Sequence, residues 1–111
     1  MVKVVILFNR ADGITHEQCV QHWRDVHGPV VCSSGIGRKY VRKFVESNIT
    51  GCLTPTTPEH DGIAELWFDS QADVEAFFSD PEYAAEVGAD AGKFADMTNL
   101  QVWVTEETPI M

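Results

Sequence analysis

Two residues of this chain carry a chemical case, His27 and Tyr40. An imidazole with an unperturbed pKa near ~6.5 takes or gives a proton close to neutrality. A phenol within its reach completes an acid/base or hydrogen-bonding pair suited to an enol or lactone oxygen. His27 stands in the run His22-Trp23-Arg24-Asp25-Val26-His27-Gly28-Pro29, and Tyr40 follows it by thirteen residues. Trp23, four residues before His27, shares its side of a helix and reads as core or as a cavity wall. His22 points roughly 100° away from Trp23 and reads as a flank residue. Asn9 is placed to offer a hydrogen bond at a strand end, and Trp67 is a further candidate for substrate binding. Each reading has a plainer alternative. His27 at a helix C-terminus would cap the last carbonyls, where the helix dipole favours its protonated form. Tyr40 would be a core tyrosine with its hydroxyl at the surface.

Other chemistries find less support. His16, His22, His27 and His60 have no metal-ligand spacing such as HExxH, so no metal is expected. Cys19, Cys32 and Cys52 form no CxxC and read as reduced, mostly buried thiols. Without a GxGxxG, P-loop or GxSxG motif, nucleotide-dependent chemistry is not supported. Glu65 is a charge inside an apolar strand, which calls for pairing with Arg42 or with a second subunit.

The elements that must position these groups follow from patterning. Residues 3–9 are an apolar, β-branched run closed by Asn9-Arg10-Ala11-Asp12-Gly13, which predicts a first strand. Thr15 with Gln18 forms a capping box before Cys19, Val20, Trp23 and Val26 at helical spacing. That helix is expected to end near Gly28-Pro29, since the residue before a proline leaves the helical region. Cys32 to Gly37 reads as a loop, 38–47 as strand two and 48–61 as a long irregular connection. Ile63 to Phe68 is strand three. Ser70 caps a second helix carrying Val74, Phe77 and Phe78; Asp80-Pro81 interrupts it, and Pro81 starts another helical segment through Tyr83 and Val87. Leu100 to Val104 is the last strand. This βαββαβ order predicts a single α+β, ferredoxin-like domain over residues 1–111: an antiparallel four-stranded sheet with both helices on one face. Strands one and three look apolar on both sides, so a second copy of the chain is expected to cover the open face as a homodimer.

The chain has 111 residues and a net charge of −9. Seven of its eight Lys/Arg lie in residues 1–50, and thirteen of its seventeen Asp/Glu lie after them. The acidic half argues against nucleic acid and anionic lipid as partners. The Arg38, Lys39, Arg42, Lys43 cluster reads as a solvated or inter-subunit face. No apolar run approaches the ~20 residues of a membrane helix, and the first residues lack signal-peptide features. A cytoplasmic protein is expected.

Phe8-Asn9-Arg10, Gly13-Ile14-Thr15-His16-Glu17, the run from His22 to Pro29, Tyr40, Asp61 through Phe68, Phe94 and Glu106-Glu107 together resemble the EthD family, over nearly the whole chain. The resemblance implies a dimeric α/β barrel, in which ferredoxin-like units pair through their sheets. Related dimeric-barrel proteins include methylmuconolactone isomerases, polyketide cyclases and monooxygenases that need no metal or flavin. It implies a cofactor-independent lyase or isomerase-like activity on a small cyclic, lactone or aromatic compound in a catabolic or polyketide-type pathway. His27 would shuttle the proton and Tyr40 would bind the oxyanion. The alternative is a non-catalytic carrier that delivers a hydrophobic intermediate to a partner oxygenase. The methylmuconolactone isomerases carry a strand-three cysteine where this chain has Leu66, which counts against the same isomerisation.

Overall fold

The structure, a computed structural model, describes residues 1–111. Four strands run Val2–Phe8 (β1), Val41–Asn48 (β2), Gly62–Phe68 (β3) and Gln101–Glu106 (β4), in sheet order β2-β3-β1-β4 with every pair antiparallel. This is the ferredoxin-like sheet expected from the element order. Val4 lies opposite both Leu66 and Val104, so the sheet centre is built from the two most apolar runs in the chain.

One face of the sheet carries the core. Val4, Phe8, Ala64, Leu66 and Phe68 point into it and are buried. The helices covering that face supply Cys19, Trp23, Val74 and Phe77. Along β3 burial alternates residue by residue, as expected when one face is covered. The opposite face holds Lys3, Val5 and Leu7 of β1 with Glu65 and Trp67 of β3. There Glu65 is paired with Lys3 at 2.9 Å rather than with Arg42, which bonds Asp69 instead. Trp103 on β4 stays 50% exposed, so apolar surface remains uncovered.

The helical layer departs from the sequence reading at Gly28-Pro29. α1 (His16–His22) begins at Thr15 with the expected capping box. It does not stop at Pro29. A π-helical stretch, Trp23–His27, leads into α2 (Gly28–Ser33), with Pro29 in the first turn of α2. Pro29 lacks an N–H, and its ring would strike the Asp25 carbonyl in a regular helix. A wider turn with i→i+5 bonding relieves that clash, and the Gly28 N–H accordingly bonds the Trp23 carbonyl. The segment read as a loop is also largely helical. Ser34 caps α3 (Gly35–Tyr40) by accepting from the Gly37 N–H at 2.9 Å. Tyr40 therefore ends a helix instead of opening strand two. Gly37 has no room for a side chain, since a Cβ there would lie 1.9 Å from the Val31 carbonyl oxygen.

The second crossover runs through α4 (Gln71–Ser79), capped by Ser70 as expected, a second π-helical stretch, Tyr83–Gly88, and α5 (Ala89–Ala91). Of the thiols only Cys19 is buried; Cys32 and Cys52 are exposed, contrary to the burial expected of them. No helix is long and apolar enough to cross a membrane.

Candidate functional site

Residues five apart in an α-helix sit roughly 140° apart around the axis. The π-helical stretch changes that phase and turns His22 and His27 toward the same carboxylate, Asp90 of α5. Asp90 Oδ2 lies 2.9 Å from His27 Nδ1, and Asp90 Oδ1 lies 3.0 Å from His22 Nε2. Lys93 Nζ approaches Asp90 at 4.0 Å from the outside. Phe94 closes the cluster from below, with its ring edge-on to His27 at 4.8 Å and stacked on His22 at 5.4 Å. His22, read from its helical phase as a flank residue, is thus part of the cluster.

Burial and bonding set the charge states. His27 is 8% exposed, and burial lowers its pKa more than the Asp90 hydrogen bond raises it. Burial pushes the Asp90 carboxyl up, but hydrogen bonds from His27 and His22 outweigh it and hold the group below the usual carboxylate range. The consistent state near neutrality is an ionised Asp90 beside a neutral His27 that donates Nδ1–H to it. This corrects the expectation of a protonated histidine at a helix end: the helix runs on past His27, so no free carbonyls stand there.

The other ring nitrogen, His27 Nε2, makes no hydrogen bond. Nor does the hydroxyl of Tyr83, whose pKa is raised by burial. Glu46 Oε2 is the one fully enclosed side-chain polar atom without a partner, so Nε2 and the Tyr83 hydroxyl both keep accessible surface. Both side chains line one cavity of about 60 Å³. Of its 17 lining residues 16 are hydrophobic, and His27 is the exception. Trp23, Phe44, Leu66, Phe94 and Met97 form much of the wall. The volume corresponds to about two waters of bulk liquid, well under the few hundred Å³ typical of a ligand pocket. Met97, unbranched and 45% exposed, is the wall residue best able to swing aside.

The remaining sequence candidates fall as follows. Trp23 is 2% exposed and lies edge-on to Phe8 at 4.7 Å, in the cavity wall. Tyr40 packs at the rim of the core with Lys39 over its ring at 5.1 Å and does not line the cavity; the tyrosine there is Tyr83. Trp67 lies on the opposite face of the sheet, under Lys3 and Lys43 at 5.4 and 4.7 Å. Asn9 bonds His60 Nδ1 at 2.7 Å, away from His27. A second polar cluster sits at the other end of α1. His16 there contacts Asp61 Oδ1 at 2.6 Å and Asn48 Oδ1 at 2.8 Å, and Arg10 braces Asp61 at 3.1 Å. No group of three or more His, Cys, Asp or Glu is arranged to hold a metal ion.

The model of the EthD domain matches residues 11–98. The chain belongs to the EthD family. That span holds His22, His27, Tyr83, Asp90 and Phe94, so the whole cluster lies inside the matched domain. Among solved structures, an EthD family protein from Bacillus halodurans C-125 is similar with a TM-score of 0.73 and 22% identity, covering 97% of this chain and 99% of that one. An EthD-like protein from Ralstonia eutropha JMP134 gives 0.69 and 18% over 95% and 89%. A dimeric protein of unknown function and ferredoxin-like fold from Bacteroides fragilis gives 0.67 and 17% over 96% and 95%. At these identities the likeness establishes the fold alone. No curated protein matches the chain.

Proposed function

We propose that this EthD protein is an acid–base enzyme of the isomerase or lyase kind, acting on a small cyclic or aromatic carbonyl compound. The observation that carries this reading is the His27–Asp90–His22 cluster, whose His27 lines an otherwise hydrophobic cavity and keeps Nε2 unpaired. Burying His27 and Asp90 side by side, with half-buried His22 bonded to the same carboxylate, costs desolvation that packing alone does not repay. Asp90 holds the Nδ1–H tautomer, which leaves the Nε2 lone pair as the base. Nε2 takes a proton from carbon next to the carbonyl, and the resulting imidazolium is stabilised by the Asp90 charge. The Tyr83 hydroxyl, rather than Tyr40, donates a hydrogen bond to the developing enolate oxygen. Return of the proton to another carbon completes an isomerisation.

The active form we propose is a homodimer paired through the sheet face that carries Val5, Leu7, Ile63 and Trp103. Apolar surface left on that face supports this, as does the dimeric ferredoxin-like relative.

The test is hydrogen–deuterium exchange into 2-indanone, a neutral cyclic ketone, followed by proton NMR in D₂O. The protein should accelerate exchange, and His27→Ala should remove about 10²–10⁴-fold of that acceleration. Equal exchange in the His27 variant refutes the assignment. Binding of the ketone without exchange would favour the carrier reading.

A further inference from the structure

We propose that this cavity admits only neutral molecules and rejects carboxylates, so that its substrates are uncharged ketones, lactones or phenols and not acid-bearing ring compounds. The inference names the substrate class of the site and rests on the acid–base reading above. Three observations support it. First, no Lys or Arg lines the cavity, and 16 of its 17 lining residues are hydrophobic. A carboxylate drawn into such a space loses its hydration and gains no cation in return. Second, the charge nearest His27 is the carboxylate of Asp90, 2.9 Å from Nδ1. Its field repels an anion.

Third, the chain contains its own probe of the medium. Glu46 lies on the helix-facing side of β2, opposite Ala64, and two residues from Phe44; both of these neighbours are cavity wall. Its carboxyl packs against Gly28, where a Cβ would sit 3.5 Å from either oxygen. Oε2 is enclosed without a partner, and burial pushes the group up to about 7, outweighing the opposing pull of Arg24. A carboxyl fixed beside this wall is thus driven toward its neutral form. A ligand carboxyl brought deeper would be driven further.

Acetophenone and benzoate have nearly the same shape and differ in charge, so they isolate this term. Binding is read from amide and imidazole NMR shifts at His27, Phe94 and Ala95. At pH 8 acetophenone should shift these signals, and benzoate should bind about 10³–10⁴-fold more weakly, in line with the small share of acid form at that pH. Benzoate's apparent affinity should then rise about tenfold for each pH unit lowered, because only the acid form enters. Met97→Lys places a cation at the exposed edge of the wall and should strengthen benzoate binding without helping acetophenone. Comparable affinities for the two probes at pH 8 would overturn the selectivity while leaving the proton-transfer reading intact. Binding of neither probe at the cavity would overturn both. Selective acetophenone binding alongside 2-indanone exchange unchanged by His27→Ala would overturn only the proton-transfer reading.

Discussion

Glu46→Gln should stabilise the protein, and only at high pH. The carboxyl is carried from 4.5 to about 7 by burial against Gly28. A raised carboxyl pKa means that the folded chain holds its proton to higher pH than the unfolded chain does. Stability from this group is therefore greatest below pH ~4.5, falls between ~4.5 and ~7, and stays at its lowest above that. At ~1.36 kcal/mol per pH unit the full penalty is bounded near ~3.4 kcal/mol. Glu46 is only partly enclosed, so solvent screening trims the figure to about 1–3 kcal/mol. Glutamine has the same shape and no charge, and so it removes the penalty where one exists. Urea unfolding of both proteins at pH 4.5 and pH 8.5 gives the double difference. The variant should be more stable by about 1–3 kcal/mol at pH 8.5 and nearly equal to the parent at pH 4.5. A variant that is weaker at pH 8.5, or equally improved at both pH values, would refute the burial argument and remove the internal support for anion rejection.

Asp90→Asn removes the one influence that raises the His27 pKa most, so the His27 NMR titration midpoint should fall further below 6.5; an upward move would contradict the assigned pairing. His16 has a raised pKa from its Asp61 hydrogen bond, so its contribution is fully present below pH ~6.5 and lost as pH rises through the folded value. His16→Ala should therefore cost stability in urea unfolding at pH 5.5 and little at pH 9, with equal costs at both counting against the pairing. A Cβ at position 62 would lie 2.6 Å from Trp23 Cζ3 and 2.8 Å from the Phe8 ring. Gly62→Ala should lower stability by about 1–3 kcal/mol through overpacking, and an unchanged thermal midpoint would show that the two rings yield freely. Trp103→Glu should shift sedimentation toward monomer without disturbing the single-chain fold, and an unchanged sedimentation coefficient would remove the sheet face as the interface.

Much of the fold was legible because its signals are local. The β1 run, the Thr15–Gln18 box and the Ser70 cap each announce an element within a few residues. The boundaries are misread where a proline looks like a stop. Pro29 is tolerated because the turn before it widens, and no local residue pattern announces that widening. The site was harder to read for the same reason. His27 stood out by its own chemistry, but His22 was set aside by an α-helical phase that does not apply across a π turn. Asp90 lies 63 residues from His27 in a three-residue helix, so only tertiary structure joins them. Tyr40 was favoured by an expected strand start that turned out to be a helix end, and Tyr83 carried no distinguishing signal beyond its place after Pro81.

The two wide turns have a further consequence. Each takes in one extra residue while turning the chain little further than an ordinary α turn, so each works as a phase adjuster between two rigid segments. Ordinary pitch over 23–27 with the same residue count would set His22 and His27 roughly 140° apart around the axis. Both histidines would survive such a change, yet they would no longer face one carboxylate. The chemistry of this protein is therefore written as much in the pitch of a helix as in the identity of its residues.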